Sequence, residues 1–167
     1  MKNLTKLMAV LFALSLLAPL AFATTETDPA TGSAEAKIIA PLELEHATGA
    51  LKFGTLVSPS AAATVTIPAV SGTPTPVDTN IQRVAGTVSA DHFTVTNPEG
   101  VVYSINLPAN NTVTISDGTH TMAVNDFTHN CPGSCNATDF YVGATLSVAQ
   151  NQDAGEYEGE YSVSLTY

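Results

Sequence analysis

GSAEAKIIAPLELE, residues 32–45, alternates two kinds of side chain with a period of two. On an extended backbone Ala34, Ala36, Ile38, Ala40, Leu42 and Leu44 fall on one side, and Glu35, Lys37, Ile39, Pro41, Glu43 and Glu45 on the other. A helix would repeat its apolar residues every three and four positions, so this stretch reads as strand. Pro41 has no amide proton to give a ladder and belongs at an edge or a boundary. The stretch reads either as two pieces, a leading strand, about residues 31–40, and the domain's own first strand from about Leu42, or as a single first strand kinked at Pro41 within its own sandwich.

The same alternation continues to the end of the chain, with β-branched residues in short runs and no apolar stripe of helical period after the first two dozen residues. Strands are expected in LKFGTLV, AATVTIP, NIQRVAGTVS, DHFTVTN, VVYSINL, NTVTISD, HTMAVNDFT, DFYVGATLSVA and EYEGEYSVSLTY. Turn residues separate them, and Asp117-Gly118 between two alternating runs predicts a hairpin. Pro68 to Asp78, with three prolines, is expected to be an irregular crossover. Many short strands at this spacing predict an all-β fold, an immunoglobulin-like β-sandwich in preference to a barrel. No longer repeat suggests a solenoid or propeller.

MKNLTKLMAVLFALSLLAPLAFA, residues 1–23, has Lys2 and Lys6 ahead of an apolar run and a small-x-small end at Ala21-Phe22-Ala23. It reads as a secretory signal peptide, too short and too interrupted by Ser15 and Pro19 for a membrane anchor, and no later segment is apolar enough to span a bilayer. The remainder carries three basic residues (Lys37, Lys52, Arg83) against 15 acidic ones, a net of −12, which disfavours nucleic acid and anionic lipid as partners. Cys131 and Cys135, the only cysteines, would meet an oxidising compartment after export, where a disulfide is expected. His129 nearby raises a zinc alternative, but no second ligand pair has the spacing of a structural site.

At the other end, Tyr157, Gly159, Tyr161, Val163, Leu165 and Tyr167 share one side of the last expected strand, with Glu156, Glu158 and Glu160 opposite. The pattern runs to the final residue, so the edge presented by Tyr161, Val163, Leu165 and Tyr167 is expected to lack a covering strand, and such an edge invites another chain. The glutamate row reads as a solvated face. The leading strand can then be lent to a neighbouring subunit, filling a groove in an incomplete sandwich through Ala34, Ala36, Ile38 and Ala40. A contact of that kind is head-to-tail and builds a fibre.

Residues 24–167 resemble a family of small secreted bacterial β-proteins known as domain of unknown function 4402, through ATGSAEAKIIAPLELE, LKFGTL, DHFTVTN, YSINLP, MAVNDF and above all YVGATLSVAQNQDAGEYEGEYSVSLTY. More distantly, the order of a leading strand, an FGTL strand and a terminal Y-x-V-x-L-x-Y strand is similar to the spore-coat-U-like pilins of the archaic chaperone-usher pathway. The resemblance implies a pilin domain over residues 41–167 with a donor strand within 24–40, polymerised by donor-strand exchange. It also implies a periplasmic chaperone that engages the carboxylate end at Tyr167, and an outer-membrane usher. The Cys131/Cys135 loop departs from it, since pilins of that class carry their disulfide near the first strand.

Enzyme chemistry finds no footing in the sequence: His46, His92, His120 and His129 are scattered, and no serine elbow, phosphate-cradling glycine loop or calcium loop is present. No cofactor or metal is expected. The expectation is a secreted structural subunit of an extracellular fibre serving adhesion or biofilm. The alternative is a monomeric secreted binding module for a carbohydrate or surface ligand, against which the absence of Trp counts.

Overall fold

The structure, a computed structural model, describes residues 28–47, 49–131 and 133–167, so the expected signal peptide lies outside the described residues. Residues 28–37 are exposed and carry no strand. Residues 38–167 form a compact unit of their own. It is all-β: β1 (Glu43–His46), β2 (Lys52–Leu56), β3 (Ala63–Ile67), β4 (Val77–Thr79), β5 (Arg83–Ser89), β6 (Asp91–Thr96), β7 (Ser104–Asn106), β8 (Val113–Ser116), β9 (Thr121–His129), β10 (Asp139–Val148) and β11 (Ser164–Thr166).

One layer of the sandwich is a seven-stranded antiparallel sheet built around β10. β9 lies along one edge of β10 and is followed by β8; the other edge is shared, Asp139–Val142 pairing with β6 and Ala144–Val148 with β3. β1 extends the sheet beyond β6, and β4 extends it beyond β3. Alternation sets the inner face: Ala63, Val65 and Ile67 of β3 and Phe140, Val142, Ala144, Leu146 and Val148 of β10 are buried, with Thr64, Thr66, Thr145 and Ser147 outside. Each large aliphatic or aromatic side chain so buried contributes about 1.5–3 kcal/mol. Gly143 sits where the chain leaving β3 crosses β10; a Cβ there would run into the Ile67 carbonyl oxygen, with Ala69 N at 2.6 Å and Pro68 C at 2.7 Å.

The second layer consists of two separate ribbons. β2 pairs with β5, and Phe53, Leu56 and Val88 pack against the part of the core formed by β3, β9 and the end of β10. β7 pairs with β11, and Ile105, Val163 and Leu165 cover Phe93, Val95, Phe140 and Val142. Phe127 and Tyr161 belong to both regions. Phe127 faces inward because β9 bulges: its pairing with β10 slips between Gly143 and Thr145, and Asp126 takes φ 50°. Asn110 braces the bulge, Oδ1 accepting the Asp126 amide proton at 2.8 Å.

The expected hairpin at Asp117-Gly118 joins β8 to β9. Two expectations are corrected. The Pro68–Asp78 crossover ends in β4, which pairs with the free edge of β3; three exposed residues offer no periodicity to read in advance. The final strand is not continuous: only Glu158, opposite Ser116, and Ser164–Thr166, opposite Asn106–Ser104, are paired. The partner stretch interrupts itself with a turn at Asn110-Asn111, and the ladder breaks with it.

Candidate functional site: a cleft between the ribbons

A cleft of about 390 Å³ opens in the second layer where the two ribbons fail to meet. Leu51 and Phe53, entering and within β2, form one wall, and Gly159 to Tyr161 of the terminal segment form the other. The floor is core: Phe93, Val113, Ile115 and Val124. Each wall belongs to a segment that is already paired elsewhere. β2 pairs with β5, and the terminal segment pairs with the stretch that contains β7 and Ser116. Among the described residues, no strand pairs with the second edge of β2 or of the terminal segment. The result is an apolar groove flanked by strand backbone, the surroundings that an added strand requires.

One end of the groove is polar. Asp91, the first residue of β6, has the inward parity of Phe93 and Val95 and is 4 % exposed, the only buried charged residue among those described. Its carboxylate accepts three hydrogen bonds: from Tyr161 Oη to Oδ2 at 2.7 Å, from His46 Nε2 to Oδ1 at 2.7 Å, and from the His92 amide to Oδ1 at 3.0 Å. These bonds satisfy a charge that would otherwise cost several kcal/mol to bury, on the order estimated for unpaired interior ions. The Tyr161 ring lies against Phe127 at 4.9 Å and edge-on to Phe93 at 6.4 Å. Burial, reinforced by the bond to the Asp91 carboxylate and its charge, holds the Tyr161 phenol well above the usual tyrosine range. It is a permanent donor at any physiological pH.

The residues singled out from sequence fall in three places. Ala34, Ala36, Ile38 and Ala40 are exposed and outside any strand, Ile38 being 95 % exposed. Tyr161, Val163 and Leu165 are half-buried along the terminal segment, as their parity predicts, whereas Tyr167 lies beyond β11 and is exposed. Cys131 and Cys135 form the expected disulfide, with Cα atoms 5.7 Å apart. Cys135 is buried and exchanges backbone hydrogen bonds with Tyr103. His129 Nδ1 accepts the Cys131 amide proton at 3.3 Å, and Glu156, Glu158 and Glu160 are all exposed. No group of three or more metal-binding side chains occurs among the described residues. Asp91 and His46 were not legible as a pair in the sequence; the signal for Asp91 is its parity within DHFTVT.

Fold and cleft define an all-β sandwich with an opening between the two ribbons of one layer. The chain belongs to the family described as domain of unknown function (DUF4402), whose model matches residues 43–167. No curated protein and no solved structure matches it significantly. No helix among the described residues is long and apolar enough to cross a membrane.

Proposed function

We propose that this protein is a structural subunit of an extracellular fibre, in which residues 31–40 of one copy lie in the cleft of the next. The observation that carries this reading is the cleft itself: a largely apolar groove between β2 and the terminal segment, neither of which has a second strand partner among the described residues. The chain also contains a matching occupant. Ala34, Ala36, Ile38 and Ala40 present small side chains and one large one on a single face, and Ile38 is nearly fully exposed in the single chain. Burying Ile38 would contribute about 1.5–3 kcal/mol and each alanine methyl about 0.8 kcal/mol, before any ladder bonds are counted. Because donor and acceptor are different surfaces, the contact repeats without closing. Export, a periplasmic chaperone, an outer-membrane usher and a role in adhesion or biofilm belong to the same proposal.

The test is to express the chain in a periplasm and run it on a gel with and without boiling. A heat-sensitive ladder is expected; a single monomer band in both lanes points instead to a monomeric binding module. Deleting residues 31–40 should leave a subunit that accepts but cannot donate, and a synthetic peptide of that sequence should stabilise it. If the deleted chain is as stable as the intact one and ignores the peptide, strand donation is wrong.

A further inference from the structure

The groove needs a fixed width. An empty apolar cleft between two ribbons gains by collapsing, since every methylene removed from water is stabilising. Yet Tyr161, half of one wall, stands where it does with its ring wedged between Phe93 and Phe127 and its hydroxyl on Asp91. His46, the last residue of β1 and opposite Phe93 in the large sheet, bonds the other oxygen of the same carboxylate and stands ahead of the wall residues Leu51 and Phe53. Asp91 is rooted in the large sheet, since Asp91 is opposite Val142 of β10.

We infer that Asp91 is a positioning residue for the acceptor groove, pinning Tyr161 and with it the terminal-segment wall to the large sheet, with His46 of β1 holding the carboxylate in place, so that the cleft stays open to an added strand. This rests on the strand-exchange reading and deepens it. The physical reason is the asymmetry of buried charge: moving Tyr161 toward Phe53 would strip Oδ2 of its donor and leave part of a buried carboxylate unpaired, so collapse is opposed at this point. An apolar pair in the same place would pack as well but would slide. The titratable groups that bond Asp91 or line the cleft with it are His46, Tyr161 and Glu160.

The test uses the full chain, expressed with its own leader, in three forms: unaltered, Asp91→Leu with Tyr161→Phe, and His46→Ala. The double change removes the buried carboxylate together with the Tyr161 hydroxyl and leaves the His92 amide without its acceptor; His46 is half exposed, so in His46→Ala water replaces its bond while Asp91 keeps Tyr161 and the His92 amide. Two quantities are measured: the half-life of the ladder in detergent at fixed temperature, and the thermal midpoint of the monomer fraction. The half-life is expected to fall about tenfold in the double variant and severalfold in His46→Ala, a dissociation-rate effect. The midpoint of His46→Ala should stay within about 3 °C of the unaltered chain. Unchanged half-lives in both variants overturn the inference, as does a loss of half-life in His46→Ala matched by an equal loss of monomer stability. Should the double variant not fold, His46→Ala alone decides. If the unaltered chain gives no ladder, it is the strand-exchange reading that fails, and the two failures are distinct.

Discussion

Replacing Tyr161 with Phe isolates one hydrogen bond in an otherwise unchanged core. The ring keeps its contacts with Phe93 and Phe127, so the transfer term is close to zero, and what is lost is the 2.7 Å bond to Asp91 Oδ2. The other two donors, His46 and the His92 amide, both serve Oδ1 and cannot follow. A bond to a charged, buried acceptor is worth about 1.5–3 kcal/mol, so the expected loss is about 2 kcal/mol. At roughly 4 °C per kcal/mol for a domain of this size, the midpoint should fall by about 8 °C. Tyr157 is the control: its hydroxyl donates to the Asp153 carbonyl at 2.8 Å and accepts from Gln152 Nε2 at 2.9 Å, both neutral partners, so Tyr157→Phe should cost about 1 kcal/mol. Urea unfolding of both variants, with the slope unchanged, gives the comparison. If Tyr161→Phe falls within about 0.5 kcal/mol of Tyr157→Phe, the buried carboxylate does not depend on this donor and the description of the cleft is wrong.

Three further outcomes follow from the fold. Gly143→Ala places a methyl group against backbone that cannot retreat, and should cost more than about 3 kcal/mol or prevent folding, measured as soluble yield and thermal midpoint. Replacing Cys131 and Cys135 together with Ala removes a short loop constraint worth about 2 kcal/mol and should leave the β circular-dichroism spectrum intact. Asp117 accepts the His120 and Thr119 amide protons, which hold its carboxyl at about 2, below the ordinary 3.8. Since the folded value is the lower one, this contribution is present above about pH 4 and disappears as pH falls through about 2. A carboxyl NMR titration with a midpoint near 3.8 would contradict the turn geometry.

Much of the strand pattern could be read from period two alone. TVT in AATVTIP and in DHFTVTN places a valine inward and two threonines outward in both β3 and β6. Terminal-segment parity held even where pairing was lost, because burial follows extended backbone whether or not a partner is present. What could not be read were effects decided by remote partners. Asp126 in HTMAVNDFTH shifts the inward set from Met122 and Val124 to Phe127, and the shift depends on Asn110, sixteen residues away. The cleft was legible only as an expected uncovered edge; its floor and its second wall come from strands far apart in sequence. The Asp91 cluster joins residues 46, 91 and 161, and no local spacing announces it.

β10 touches more of the molecule than any other strand, and it comes late. The nascent polypeptide emerges amino end first, and β3, β6 and β9 must all be extruded before residues 139–148 arrive to unite them. Until then the three waiting strands display unsatisfied amides and apolar side chains to whatever is nearby. The pairings of β3 and β6 with β10 are distant in sequence, and closing such distant pairings slows folding. Substitutions in YVGATLSV should therefore depress the yield of native molecules in the cell more than their effect on the finished fold accounts for.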